Sequence, residues 1–370
     1  MGSVCGTRGV ELPLEFKEDP DKLREAALRS KVIEKAMEEQ KDAALTVRSL
    51  LLLGAGESGK STLFKQAKHL YTDCFNDHER MSFLPVIALN VTVGIQTLLR
   101  ECPPESLQEN AGLSSFEVDA AKAILEEKFS DRLQVNPEKA KRIKLLWNLP
   151  IVQAQYERRS EFQFQDTVVS YFEKIDLIAS PGYVPSMDDV LKSRAATTGV
   201  IETTFVRDKV RIRITDVGGQ RSERQKWLHQ FSKCNAIIFV AAISEYDQVL
   251  REDGRTNRMC ETLILFEELA NSRWLSKAHI ILFLNKKDLF HEKLMIRRID
   301  FQKYFEDYAG GVDYDKAIKY LQNLFRSRVK GDKETYIHVT CATDSDQIKI
   351  VFQDLFNIIL DSGMKNMGLL

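Results

Sequence analysis

The chain has 370 residues, with 53 Lys and Arg against 54 Asp and Glu, so a net charge of −1 leaves no overall basic field for nucleic acid. Hydrophobic residues make up 44% and charged residues 29%, an ordinary globular balance with room for two domains. No uninterrupted apolar run reaches the ~18 residues of a membrane helix, the charged start is not a secretory signal, and six cysteines without a CxxC pair predict free thiols in a reducing cytosol.

In chain order, "DPDKLREAALRSKVIEKAMEEQKDAALTVRS" predicts a charged helix with Asp19 as N-cap and Pro20 in its first turn. Its narrow apolar stripe suits a partner-binding arm better than a core. "SLLLLGAGESGKSTLFKQAKHLY" predicts a buried strand, a glycine loop and a helix. Between residues 73 and 190 the apolar spacing becomes helical throughout, which predicts an all-α insert. "ETTFVRDKVRIRITDVGG" predicts two strands joined by a charged turn. "NAIIFVAAIS", "HIILFLNKKD" and "TYIHVTCATD" then predict three more strands separated by helices. The expected fold is therefore α/β, a mostly parallel sheet covered on both faces, interrupted by a helical domain. The expected divisions are an N-terminal segment 1–45, a first part of the sheet domain 46–72, the insert 73–190 and the second part 191–370.

"GAGESGKS", Gly54 to Ser61, fits G-x-x-x-x-G-K-[ST] between strand and helix. Such a loop turns successive backbone N–H groups onto phosphates at a helix N-terminus, with Lys60 on the β- and γ-phosphates and the Ser61 hydroxyl on Mg²⁺. "DVGGQ" ends an apolar strand, which puts Asp216 where a carboxylate supports the magnesium shell. Gly219 lets the backbone approach a γ-phosphate, and Gln220 follows where it orients an attacking water. In "NKKD", Asp288 accepts from the guanine edge, Asn285 braces the loop and Lys286 lays its stem along the ring. "TCATD" follows the next strand and offers the Ala342 amide to the guanine oxygen. Phosphate, metal and base elements occur in the order that one GTP site requires.

Together "LLLLGAGESGKST", "DVLKSRAATTG", "DVGGQRSERQKW", "FLNKKDLF" and "TCATD" make the chain resemble the alpha subunits of heterotrimeric G proteins over nearly its whole length. The resemblance implies a Ras-like P-loop GTPase domain with an inserted all-α domain. It implies a GTP- and GDP-binding, Mg²⁺-dependent GTPase acting as a signalling switch. Arg194 then corresponds to the arginine this family supplies from its own chain to the transferring phosphoryl group, and Thr197 to the threonine completing the magnesium shell. The nucleotide contacts carried over are Glu57, Ser58, Gly59, Lys60, Ser61, Thr62, Asp166, Thr167, Leu191, Arg194, Thr197, Gly219, Asn285, Lys286, Asp288, Cys341, Ala342 and Thr343, with Asp216 in the second metal shell. Asp166 is expected to reach Lys286 across the nucleotide.

Arg221, Glu223, Arg224 and Trp227 correspond to the second switch, which changes partners with nucleotide state. The N-terminal helix resembles the segment that docks a beta–gamma dimer, and "IVFQDLFNIILDSGMKNMGLL" the helix and tail that enter a G protein-coupled receptor. GTPase-activating regulators and effectors complete the implied partners, with no nucleic acid among them. Gly2 and Cys5 are lipidation candidates, implying peripheral attachment at the cytoplasmic face of the plasma membrane. Ala196 and Gln225 depart from the family's usual lysines, and Met367 stands where some members carry a toxin-modified cysteine. Two rival readings stand beside this one. A non-hydrolysing or self-activating GTP-dependent binding scaffold conflicts with the presence of Arg194 and Gln220. A P-loop kinase conflicts with "NKKD" and "DVGGQ".

Overall fold

Leucine after leucine in β1 (Thr46–Leu53) is buried because the strand is covered on both faces. Leu50 and Leu52 join one core with Leu63 and Phe64, while Leu51 and Leu53 join a second core on the opposite side. The computed structural model describes residues 46–366, except 73, 104–106, 108–111, 233 and 332. The expected arm at 19–45, the lipidation candidates Gly2 and Cys5, and Met367 lie outside the described residues.

After β1 come a loop and α1 (Lys60–Tyr71). The insert follows, with α2 (Leu84–Glu101), α3 (Ser115–Leu125), α4 (Pro137–Trp147) and α5 (Pro150–Glu157) as its main helices. α6 (Met187–Lys192) leads back to the sheet, starting at a capping box between Ser186 and Asp189. It runs across residue 190, so the boundary expected there falls inside a helix.

β2 (Val200–Arg207) and β3 (Val210–Val217) form an antiparallel hairpin. Its turn residues Asp208 and Lys209 both take positive φ, 49° and 62°, which matches the twist of a two-residue hairpin. β4 (Ala236–Ala242), α7 (Arg258–Ala270), β5 (His279–Asn285), α8 (Tyr314–Arg326), β6 (Thr335–Val339) and α9 (Ser345–Asn366) complete the chain order, with short turns between them. The six strands lie in the order β2-β3-β1-β4-β5-β6, and every pairing except β2–β3 is parallel. α7 and α8 cover one face, and α1 and α9 the other. Parallel pairing sends the loops after β1, β3, β4, β5 and β6 to one edge. β1, with β3 on one side and β4 on the other, is the point where the chain's winding reverses and ligands bind.

The insert has its own core, built from Ile87, Val91, Ile95 and Leu98 of α2, Ile124 of α3, Ile143 and Leu146 of α4, Val152 of α5, and Tyr171 and Phe172. The stretch Asp77–Glu101 has the length and mean hydropathy, 1.7, of a membrane span, but 56% of that window is buried in the protein. It is the helix around which the insert packs.

Candidate functional site

One cavity of about 640 Å³ lies where the C-terminal strand loops meet the insert, within the size range of a small-molecule site. Every nucleotide- and metal-contact residue expected from the sequence lines it: Glu57 to Thr62, Asp166, Thr167, Leu191, Arg194, Thr197, Asp216, Gly219, Gln220, Asn285, Lys286, Asp288 and Cys341 to Thr343. Gln220 is exposed at its wall and its side chain does not cap the turn that follows.

The glycine loop is held in shape by its own lysine. Lys60 Nζ donates to Gly54 O at 3.0 Å and Ala55 O at 2.7 Å. Burial pulls this amine down to about 8, against the opposing charge of Asp216, so a polyanion beside it would hold its proton more tightly. Gly59, the N-cap of α1, sits at φ 104°, and a side chain there would also collide with Asn285 Nδ2. At Gly219 a Cβ would come within 2.7 Å of the Ala55 carbonyl oxygen, so only glycine lets this loop pass against the phosphate loop.

Three oxygens from separate elements converge beside Lys60. Ser61 Oγ donates to Asp216 Oδ2 at 2.7 Å and lies 2.6 Å from Thr197 Oγ1, which is 3.3 Å from the same carboxylate oxygen. Asp216 Oδ1 is buried with no hydrogen-bond partner. Burial raises the Asp216 carboxyl, with Lys60 opposing, so it is a buried acid short of positive charge. Two hydroxyls and a carboxylate form the hard oxygen set that suits Mg²⁺ sharing its shell with phosphates and water. No cluster of three or more His, Cys, Asp or Glu able to hold a metal occurs among the described residues.

Arg194 lies opposite the phosphate loop, its Nη2 bonded to Glu57 Oε1 at 2.5 Å. Glu57 also pairs with Arg258 at 3.2 Å, Arg258 with Glu245 at 3.2 Å, and Glu245 with Lys286 at 2.7 Å. Two carboxylates thus tie three cations across the cavity. Burial works against ionising Glu57, but Arg258, Arg194 and Lys286 overcome it and hold the carboxyl below its ordinary range.

At the base end, buried Asn285 donates to Ser58 O at 2.9 Å and accepts from Ala342 N at 2.9 Å and Thr340 Oγ1 at 3.2 Å. It braces three loops at once. Two expectations need correction here. The Ala342 amide is spent on Asn285, so a guanine oxygen would have to draw it away. Lys286 bonds Glu245 rather than Asp166, because the acid at the end of β4 is nearer than the insert. Burial opposes the Lys286 ammonium, but Glu245 and, through space, Asp166 hold it above its ordinary range; the ion partner of Asp166 is Arg159, at 3.9 Å.

The insert instead meets the sheet domain through Arg159 Nη2 on Glu292 Oε1 at 2.5 Å, Gln163 Nε2 on Val249 O at 2.9 Å and Arg297 on the Glu157 carbonyl. The second-switch residues are engaged as well. Arg221 grips Glu261 with two nitrogens at 3.2 and 3.0 Å, Arg224 reaches the same carboxylate at 2.7 Å, Glu223 accepts from Gly199 N at 3.0 Å, and Trp227 Nε1 donates to Gly218 O at 2.9 Å. Ala196 and Gln225 are exposed.

Sequence reasoning missed Glu245, Arg258, Glu261, Arg159 and Asn90. Glu245 stood within reach, since it follows the apolar run of β4 just as Asp216 closes the apolar run of β3. Arg258, Glu261 and Asn90 sit on helices, and Arg159 in the turn after α5, where a polar residue reads as an ordinary solvated position.

Comparison with known proteins agrees with this geometry. A family model described as G-protein alpha subunit matches residues 27–359. The guanine nucleotide-binding protein alpha-15 subunit of Caenorhabditis elegans is 37% identical, covering 100% of both chains. A guanine nucleotide-binding protein subunit alpha from Coprinellus congregatus is 41% identical over 94% of this chain and 97% of its own, and the Caenorhabditis elegans alpha-17 subunit is 39% identical over the same shares. With phosphate loop, oxygen trio, base loop and inserted helical core all in one chain, this protein belongs to the G-protein alpha-subunit family.

Proposed function

We propose that the chain is a GTP-hydrolysing switch that binds GTP and GDP with Mg²⁺ and is turned on by receptor-promoted exchange. The observation that carries this reading is the convergence of Ser61, Thr197 and Asp216 on one point of a cavity that also holds Lys60 and Arg194. A passive binding module has no need of an arginine poised over the phosphate loop, and "NKKD" and "DVGGQ" speak for guanine and an attacking water rather than for a kinase's acceptor.

In this reading Lys60 leaves the loop carbonyls for the β- and γ-phosphates, whose charge offsets the burial that weakens its ammonium. Ser61, Thr197 and Asp216, which already converge, are the residues that would hold the metal and its water. Bound there, Mg²⁺ neutralises phosphate charge and fixes the phosphate oxygens. Arg194 exchanges Glu57 for the transferring phosphoryl group, where its charge counts most in the transition state. Glu57 keeps Arg258, so the exchange leaves no buried carboxylate unpaired. Gln220 swings over the γ-phosphate to orient the attacking water. Asp288, exposed at the cavity wall, takes the guanine edge, and an adenine would leave it without that pairing.

The insert covers the nucleotide, so GDP leaves when the two domains part, and that step is the point of receptor control. A beta–gamma dimer on the second switch and the N-terminal arm, regulators and effectors on the switches, and lipidation at Gly2 or Cys5 holding the protein at the cytoplasmic face of the plasma membrane complete the proposal. Purified protein loaded with GTP should release one phosphate per molecule when Mg²⁺ is added, and should show no phosphate transfer to an acceptor. Tight GTP binding without phosphate release would favour the scaffold reading.

A further inference from the structure

Arg194 has no regular secondary structure to hold it, since α6 ends at Lys192 and β2 begins at Val200. A catalytic arginine on a free loop would spend most of its time misplaced, and small displacements cost rate steeply. Its backbone is nevertheless gripped at both polar atoms by one side chain. Asn90 Oδ1 accepts from Arg194 N at 2.7 Å, and Asn90 Nδ2 donates to Arg194 O at 2.8 Å. The two bonds fix which end of the amide is oxygen.

Asn90 is 104 positions away, on α2, and 8% exposed. Its neighbours Ile87 and Val91 are fully buried in the insert's core, so it is as rigid as that core. Gln165 and Thr167 reinforce the attachment, with Thr167 Oγ1 donating to Lys192 O at 2.9 Å. From the other domain, Lys65 Nζ donates to Val190 O at 2.8 Å and Ser193 O at 2.7 Å.

We infer that Asn90 is a positioning residue for hydrolysis: through the backbone of Arg194 it makes the insert a working part of the phosphoryl-transfer site. Only the side-chain torsions of Arg194 are left to move the guanidinium between Glu57 and the γ-phosphate. The inference rests on the hydrolytic role proposed for Arg194, and it gives the insert a function in chemistry distinct from covering the nucleotide.

Single-turnover hydrolysis on full-length protein loaded with GTP and started with Mg²⁺ tests it in wild type, Asn90→Ala, Arg194→Ala and the double variant. Asn90→Ala is expected to slow hydrolysis roughly tenfold or more while leaving GTP affinity within about twofold. In the Arg194→Ala background the same substitution should change nothing, because there is no guanidinium left to position. Thr92→Val, which removes only a hydroxyl bonded to Ala88 O of its own helix, should hydrolyse at the wild-type rate. Should Asn90→Ala fail to fold, Asn90→Asp keeps the acceptor for Arg194 N–H, loses the donor, and is expected to slow hydrolysis less.

Wild-type hydrolysis in Asn90→Ala, or in Asn90→Asp where that variant stands in for it, overturns the proposal. So does an equal slowing by Asn90→Ala with and without Arg194. An Arg194→Ala protein that hydrolyses normally would instead sink the hydrolytic reading itself.

Discussion

The sheet domain and the helical insert contribute to one cavity in opposite ways. In the sheet domain each contact sits at or just past the C-terminal end of a parallel strand, where the backbone itself shapes the site: Lys60 at the start of α1 after β1, Asp216 next to the last residue of β3, Asn285 as the last residue of β5. In the insert each contact is a single polar side chain that a packed helix or its following turn happens to aim outward, as with Asn90, Gln165, Thr167 and Arg159. The first arrangement recognises a nucleotide. On the function proposed, the second, having little chemistry of its own, would set the position and escape of what the first has bound. Substitutions in the sheet domain should therefore change which nucleotide binds and whether it reacts, while those in the insert change rates of positioning and release.

The largest expected effect is on base choice. Asp288→Asn should shift preference from GTP toward xanthosine triphosphate by ~10³-fold or more, since the site is built around a paired carboxylate. Competition binding with GTP, ATP and XTP measures this, and an unchanged preference would remove Asp288 from the base site. Next, Gln220→Leu should slow single-turnover hydrolysis by roughly 10²-fold with GTP affinity nearly intact, because Gln220 acts on the attacking water alone.

On the insert side the effects shrink and move to release. Arg159→Met removes a charge-assisted bond to Glu292 and should speed dissociation of labelled GDP by roughly fivefold to tenfold, with hydrolysis untouched. Asp166→Ala should do less, because Lys286 is already satisfied by Glu245. Equal off-rates in wild type and Arg159→Met would mean that this seam does not limit opening.

The smallest effect is electrostatic. Burial depresses Lys65 from 10.5 to about 8, so between those values the unfolded chain binds the extra proton and stability rises with pH. The buried thiols of Cys102 and Cys234, raised to about 11, act in the opposite direction over much of the same range. The difference between proteins therefore carries the signal. Wild type should gain thermal stability relative to Lys65→Met as pH rises from 8 toward 10, and a flat difference would contradict the desolvated amine.

The same contrast explains what could be read from the residues alone. "GAGESGKS", "DVGGQ" and "NKKD" were legible because loop chemistry at strand ends depends on local geometry, and glycines, an amine and carboxylates declare that geometry in a few consecutive positions. Strands with β-branched and leucine runs declared the sheet in the same way. The charge chain from Glu57 through Arg258 and Glu245 was not legible, since its members lie up to 201 positions apart and meet only after the sheet has formed. Asn90 was harder still. In "LPVIALNVTVG" it looks like a lone polar interruption of an apolar helix. The expectation that Asp166 would meet Lys286 failed for the complementary reason: the nearer acid, Glu245, lies at the end of a strand whose apolar run drew attention away from what followed it.

The measurement that bears most directly on the whole account is phosphate release from GTP-loaded protein after Mg²⁺ addition, in wild type beside Arg194→Cys. The account predicts one phosphate per wild-type molecule, and a rate about 10²-fold or more lower in the variant at unchanged GTP occupancy. Equal rates in the two proteins, or bound GTP that neither protein hydrolyses, would contradict it.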